Sequence, residues 1–294
     1  MPETKTANII DGKACAAETR EALKVQVQKH VAAGHRPPGL AVILVGDNPA
    51  SELYVKNKIT ACKNVGIESH LHRFPKEASQ QEIIACLNEL NTSDTIDGIL
   101  VQLPLPSPLS EAEVLDAINP AKDADGLHPF NLGCLLAGKP GPRPCTPAGI
   151  MTLLAKYDVT IEGKSATVIG RSNLVGKPIA LMLMQKNATV TICHSRTQNL
   201  PDVVRSADIL VVAIGKSRFV PGDWIKPGAV VIDVGIHHEK GADGKSVITG
   251  DVDFQTAQSV ARLITPVPGG VGPMTVAQLL ANTVYSYQTR LGIS

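Results

Sequence analysis

Apolar runs and amphipathic stretches alternate along this chain. Leu40–Val45 is apolar at every position and is bounded by Pro37-Pro38-Gly39 and Gly46-Asp47, which predicts a strand buried on both faces. Ser51–Val65 predicts a helix, and the alternating Ser69–Phe74 a strand. Ser79 with Glu82 forms a capping box that opens a helix through Leu90, and Ser110 with Glu113 repeats the signal. Asp97–Leu103 is a further buried strand. This alternation predicts α/β architecture, with parallel strands joined by crossover helices.

Lys139–Pro147, dense in proline, interrupts the pattern and reads as a linker. Thr146 suits a helix N-cap and Pro147 the first helical position, so a connecting helix is expected from there to about Lys156. A second strand series follows at Ala166–Ile169, Ala188–Cys193, Ile209–Ile214 and Val230–Val234. Its spacing resembles the nucleotide-binding half of a doubly wound sheet. A last helix is expected over Thr275–Gln288, after a proline- and glycine-rich run at 266–273. Two domains result: residues 1–146 with 275–294, and residues 147–274.

Composition narrows the class. The chain has 294 residues, 44% hydrophobic and 19% charged, with net charge +1. That balance fits a globular protein and gives no electrostatic footprint for nucleic acid. Six scattered cysteines, none in a C-x-x-C pair, fit reduced thiols of a cytoplasmic protein and no metal site. Met1–Asp11 is polar and lacks the apolar core of a signal peptide. No apolar run reaches the length of about 18 residues that a membrane span needs.

The most informative segment is 165–178. A strand runs into Gly170-Arg171-Ser172-Asn173-Leu174-Val175-Gly176, and an apolar helix follows. Such a turn lets backbone N–H groups and a helix N-terminus approach a phosphate. Gly170 and Gly176 stand six apart, unlike the tighter G-x-G-x-x-G. The next strand ends in His194-Ser195-Arg196, where an NAD site normally places a carboxylate for the ribose hydroxyl. Ser195, Arg196 and Arg171 instead suit a 2′-phosphate, so NADP is favoured over NAD.

Tyr54 and Lys58 stand four apart on one helix face. A lysine desolvated in a groove can exchange protons with a substrate, although this spacing also marks an ordinary amphipathic surface. Gln102 ends an apolar strand, on the side where open α/β sheets bind ligands. Asp125, in Lys122-Asp123-Ala124-Asp125-Gly126, reads as a turn former or as a functional carboxylate. The run Thr265–Pro273 reads as a stiff ligand clamp.

Taken together, these segments resemble the bifunctional methylenetetrahydrofolate dehydrogenase/methenyltetrahydrofolate cyclohydrolase family. The resemblance is carried by Ala50-Ser51-x-x-Tyr54-Val55-x-x-Lys58, Asp97-Gly98-x-x-Val101-Gln102-Leu103-Pro104-Leu105-Pro106, Lys122-Asp123-x-Asp125-Gly126, Pro144-Cys145-Thr146-Pro147-x-Gly149, the 170–178 turn and the 265–275 run. They span nearly the whole chain, and Ala124 stands where valine is expected. The resemblance implies an N-terminal α/β catalytic domain, a Rossmann-like NADP-binding domain and a folate site in a cleft between them. It implies Lys58 as acid/base, assisted by Gln102, with Tyr54 stacking on the folate and Asp125 binding the pterin. Ser51, Leu103, Pro268, Gly269 and Gly272 join Tyr54, Lys58, Gln102 and Asp125 as expected substrate contacts. Gly170, Arg171, Ser172, Val175, Ser195, Arg196, Gly215 and Ile236 are the expected NADP residues. A homodimer is also implied. Two rivals exist. A short-chain dehydrogenase also uses Tyr-x-x-x-Lys, but there the nucleotide turn precedes the tyrosine; a non-catalytic NADP sensor needs no ionisable group beside its ligand.

Overall fold

The computed structural model describes residues 6–240 and 246–293; Met1–Lys5 of the polar leading stretch lie outside them. From its start the chain forms β1 (Asn8–Ile9), α1 (Gly12–Ala32), β2 (Gly39–Val45), α2 (Pro49–Val65), β3 (Glu68–Phe74), α3 (Gln80–Thr92) and β4 (Gly98–Val101). Three helices follow: α4 (Glu111–Asp116), α5 (Pro129–Leu136) and α6 (Cys145–Lys156). Then come β5 (Ser165–Ile169), α7 (Gly176–Gln185), β6 (Thr189–Cys193), α8 (Leu200–Arg205), β7 (Ile209–Val212) and β8 (Val230–Asp233). The antiparallel pair β9 (His237–Lys240) and β10 (Ser246–Thr249) leads to α9 (Phe254–Ala257), β11 (Leu263–Ile264) and α10 (Val271–Leu291).

The chain divides into two compact units. One comprises Ala17–Cys145 with the segment from Val276 onward, and holds a parallel three-stranded sheet in the order β3-β2-β4. Every residue of β2 is buried, as its unbroken apolar run requires of a central strand covered on both faces. Leu40, Val42 and Leu44 face α2 and α10 through Val55, Cys62, Leu280 and Val284. Ala41, Ile43 and Val45 face α3 and α4 through Ile83, Leu87 and Val114. The Asp97 carboxylate, fully buried before β4, accepts from Arg36 Nη1 at 2.6 Å, Arg290 Nη1 at 2.8 Å and Gly39 N at 2.9 Å. A buried charge is retained only with such partners.

The other unit takes Thr146–Thr275 with the start of the chain through Ala16. Its sheet is all parallel, in the order β1-β11-β8-β7-β5-β6. The chain steps from β5 outward to β6, then returns to the other side of β5 as β7. That reversal is where doubly wound sheets bind ligands, beyond the carboxyl ends of the strands.

Several boundaries differ from expectation. The opening residues were expected with the catalytic domain, but β1 pairs with β11, Asn8 beside Leu263 and Ile9 beside Ile264. Helix α6 begins at Cys145, whose N–H donates to Asp125 O at 3.2 Å, so Thr146 is already helical and its hydroxyl lies 2.9 Å from that of Thr275. Helix α10 begins at Val271, inside the expected clamp loop. Pro273 fits its first turn, where backbone N–H groups have no intrahelical acceptor. The strand expected over Asp97–Leu103 is four residues long.

Candidate active site

In the three-stranded unit, α2 is fixed at both ends. Asn48 Oδ1 accepts from Ala50 N and Ser51 N, and Gly66 closes the helix at φ 90°. Ser51 is buried in the first turn, while Tyr54 is 47% exposed on the turn before half-buried Lys58. Gln102 extends β4, its N–H donating to Ile43 O at 2.9 Å. Lys58 Nζ donates to Gln102 Oε1 at 3.1 Å, and Gln102 Nε2 donates to the Leu103 carbonyl at 2.7 Å. The second bond fixes which end of the amide faces the ammonium. Leu103 itself is half-buried against the core.

The two readings of Asp125 separate on its neighbour. Asp123 forms the turn: its carboxylate accepts from Gly126 N at 3.0 Å, His128 N at 2.8 Å and Asn131 Nδ2 at 2.8 Å. Asp125 makes none of these bonds. Burial pushes its carboxyl above the usual carboxylate range, and the Lys58 ammonium draws it back. Cys145 belongs to the same group. Burial first and the Asp125 charge second push its thiol well up, while Lys58 opposes. Its Sγ donates to Ala124 O at 3.4 Å, and Asn282 Nδ2 donates to it at 3.5 Å. The structure therefore brings Lys58, Gln102 and Asp125 near one another, with Cys145 beside them.

In the six-stranded unit, a cavity of about 310 Å³ opens beyond the ends of β5, β6 and β7. Gly170, Arg171, Ser172 and Ser195 line it. His194, Ile214, Lys216 and Phe219, which the sequence did not single out, line it too. Lys216 Nζ lies 5.3 Å from the Phe219 ring centre, over its face. Val175, Arg196, Gly215 and Ile236 lie outside the lining. Val175 N donates to Ser172 Oγ at 3.1 Å, Arg196 N donates to His194 Nδ1 at 3.2 Å, and Ile236 is exposed. The cradle demands its glycines. A Cβ on Gly170, at φ 126°, would stand 2.2 Å from Ala213 O, and one on Gly176 would stand 2.2 Å from Gly170 O. Among the described residues the lining has two cationic side chains and no carboxylate. That donor set fits a phosphorylated dinucleotide.

Of the remaining expected contacts, Pro268, Gly269 and Gly272 belong to this same unit. Gly269 O accepts from Lys13 N at 3.1 Å, Pro268 is exposed, and Gly272 sits in the first turn of α10.

Residues 10–125 match the family model "Tetrahydrofolate dehydrogenase/cyclohydrolase, catalytic domain", and residues 144–291 match the NAD(P)-binding domain of the same name. The chain belongs to the tetrahydrofolate dehydrogenase/cyclohydrolase family. It is 54% identical over 278 residues to the Bifunctional protein FolD of Magnetococcus marinus, covering 95% of this chain and 96% of that one. Among solved structures, the bifunctional FolD of Campylobacter jejuni superposes with a TM-score of 0.92 at 46% identity, over 97% of this chain and 99% of that chain. The FolD of Trypanosoma brucei, complexed with NADP cofactor and an inhibitor, gives a TM-score of 0.92 at 38% identity, over 99% of each chain. The catalytic-domain match spans Lys58, Gln102 and Asp125, and the NAD(P)-binding match spans the cavity. Among the described residues no helix is long and apolar enough to cross a membrane, and no group of three or more His, Cys, Asp and Glu is placed to hold a metal ion.

Proposed function

We propose that this chain oxidises 5,10-methylenetetrahydrofolate to the 5,10-methenyl form with NADP, then hydrolyses that product to 10-formyltetrahydrofolate, both as steps of one-carbon metabolism. Its family membership supports the pair of activities, and one observation carries the assignment of groups: the Lys58 ammonium on Gln102 Oε1 at 3.1 Å, beside an Asp125 that feels its charge.

When bound, NADP would supply the hydride acceptor; Gly170, Arg171, Ser172 and Ser195 would hold it, with Val175, Arg196, Gly215 and Ile236 shaping the surroundings of that pocket. The protein's part in the hydride step is to fix the reacting carbon relative to the acceptor. In hydrolysis, water adds to the methenyl carbon and the ring opens. A proton must leave the attacking water and another must reach the departing nitrogen, and Lys58 exchanges both. Gln102 accepts one Lys58 N–H and so aims the remaining valences of the amine. Asp125 binds the pterin edge, where its raised affinity for a proton suits a donor–acceptor pair with a heterocycle. Tyr54 supplies an exposed ring one turn away for stacking. Ser51, Leu103, Pro268, Gly269 and Gly272 complete the assigned folate contacts.

In the Lys58→Ala variant, methenyltetrahydrofolate hydrolysis disappears while part of the NADP-dependent oxidation survives. Full hydrolase activity in that variant removes Lys58 from the mechanism. Two finer readings follow from the resemblance: a homodimer, checked by sedimentation velocity, and a cytoplasmic location, supported by the cysteine spacing and checked by fractionation.

A further inference from the structure

Asp251 is fully buried just after β10, and no role assigned above uses it. Its Oδ2 accepts from Ile214 N at 2.7 Å and Gly215 N at 3.1 Å. Its Oδ1 accepts from Lys216 N at 2.8 Å and lies 2.8 Å from His237 Nε2. Three successive backbone N–H groups thus converge on one carboxylate, with a histidine ring as the fourth partner. The turn they belong to follows β7, and its Ile214 and Lys216 line the nucleotide cavity. Gly215 within it stands at φ 69°, a conformation open to glycine without steric cost but only one of the many it can visit, so the turn's shape depends on what holds it.

Asp251 is itself aimed. Asp233 Oδ1 accepts from Asp251 N at 2.8 Å and Gly235 N at 3.0 Å, and Asp233 Oδ2 accepts from Val252 N at 2.9 Å. The carboxylates leave no room for side chains beside them. A Cβ on Gly235 would stand 2.4 Å from Asp251 Oδ1, and one on Gly250 would stand 1.9 Å from Asp233 Oδ2. The far end of the turn is pinned as well, Ser217 Oγ lying 2.9 Å from Thr249 Oγ1 and Arg218 N donating to Gly250 O at 2.9 Å.

We propose that Asp251, aimed by Asp233 and braced by His237, is a positioning residue that holds the 214–216 turn in the shape NADP binds. It rests on the reading that this cavity takes NADP. Without the carboxylate, three N–H groups lose their acceptor and the turn relaxes toward other conformations.

The test is direct titration of NADP by calorimetry into the wild type and into Asp251→Asn, His237→Ala and His237→Gln. Asp251→Asn keeps one acceptor oxygen and turns an NH2 toward the other N–H groups. It is expected to bind NADP about tenfold more weakly, the weight of one charge-assisted hydrogen bond. In turnover its KM for NADP rises while kcat stays within about twofold, and methenyl hydrolysis without NADP is unchanged. His237→Ala weakens NADP about threefold, and His237→Gln, which still donates to Asp251, restores it. Wild-type NADP affinity in Asp251→Asn overturns the proposal, as does an equal loss of hydrolysis, which marks general collapse. Should Asp251→Asn fail to fold, unchanged affinity in His237→Ala overturns it. A wild type that binds no NADP removes the reading of the cavity, and the proposal with it.

Discussion

The two units build their sites from different material. In the three-stranded unit the groups proposed to do the work are side chains: an ammonium, an amide and a carboxylate, brought together from α2, the end of β4 and the turn before α5. In the six-stranded unit the work falls largely on the backbone, with glycines at 170, 176 and 215 and N–H groups gathered by buried carboxylates. The first kind of site fails when its chemistry changes and its shape does not. The second fails when its shape changes, even by one carbon.

The sharpest contrast comes from paired substitutions. Lys58→Arg keeps a cation but cannot release a proton, so hydrolysis should fall by a factor on the order of 10²–10⁴, as for Lys58→Ala. Calorimetry should show NADP affinity unchanged. Substantial hydrolase activity with arginine would mean that charge alone suffices, and the side-chain half of the contrast breaks. Gly176→Ala is the counterpart. Its Cβ has no space beside Gly170 O, so NADP affinity should fall on the order of 100-fold. Hydrolysis assayed without NADP should persist; loss of both activities would show that the two sites do not fail separately.

Arg171→Ala probes one of the two cationic side chains that line the nucleotide cavity. The preference for NADP over NAD should fall about 10- to 100-fold, the worth of hydrogen bonds to a charged phosphate, seen as a rise in KM for NADP alone. An equal rise for both nucleotides would assign Arg171 to the shared pyrophosphate.

Asp233 gives the smallest and most local effect. Burial pushes its carboxyl up to about 6, against the pull of N–H bonds from Val252, Asp251 and Gly235. The folded chain therefore holds a proton here that the unfolded chain has released. This group's contribution to stability is fully present below the ordinary carboxylate range and is lost as pH rises through about 6. A carbon-detected NMR titration should place its midpoint near 6, and an ordinary carboxylate midpoint would remove the effect.

Much of this was legible beforehand because it is local. An unbroken apolar run such as Leu40–Val45 admits few structures, and the capping box at Ser79 forms as its residues dictate, with Ser79 N donating to Glu82 Oε2 at 2.7 Å. The glycine turn at 170–176 announced a nucleotide site through the same close approaches that the fold displays. What escaped depends on distant partners. Helix α1 was missed because Lys, Glu and Gln interrupt its apolar stripe, and its buried apolar side chains, Cys15, Ala16 and Val27, are too few and too unevenly spaced to set a helical period. Strands β1 and β11 are two residues each, too short to carry a period. Lys216 enters the cavity only through the turn that Asp251 shapes, and a Gly-Asp-Val-Asp stretch reads in sequence as an ordinary turn. That Asp123, and not Asp125, caps the turn shows only in the folded chain.

The edge pairing of β1 with β11 bears on how the chain is made. Residues near position 8 are synthesised well before their partners near position 263 and must wait for them. The interior of the other unit waits longer still, since Leu280 and Val284 come from α10. Neither core can close before these later segments are made, so a nascent chain stalled ahead of β11 exposes unfinished apolar surface in both halves at once.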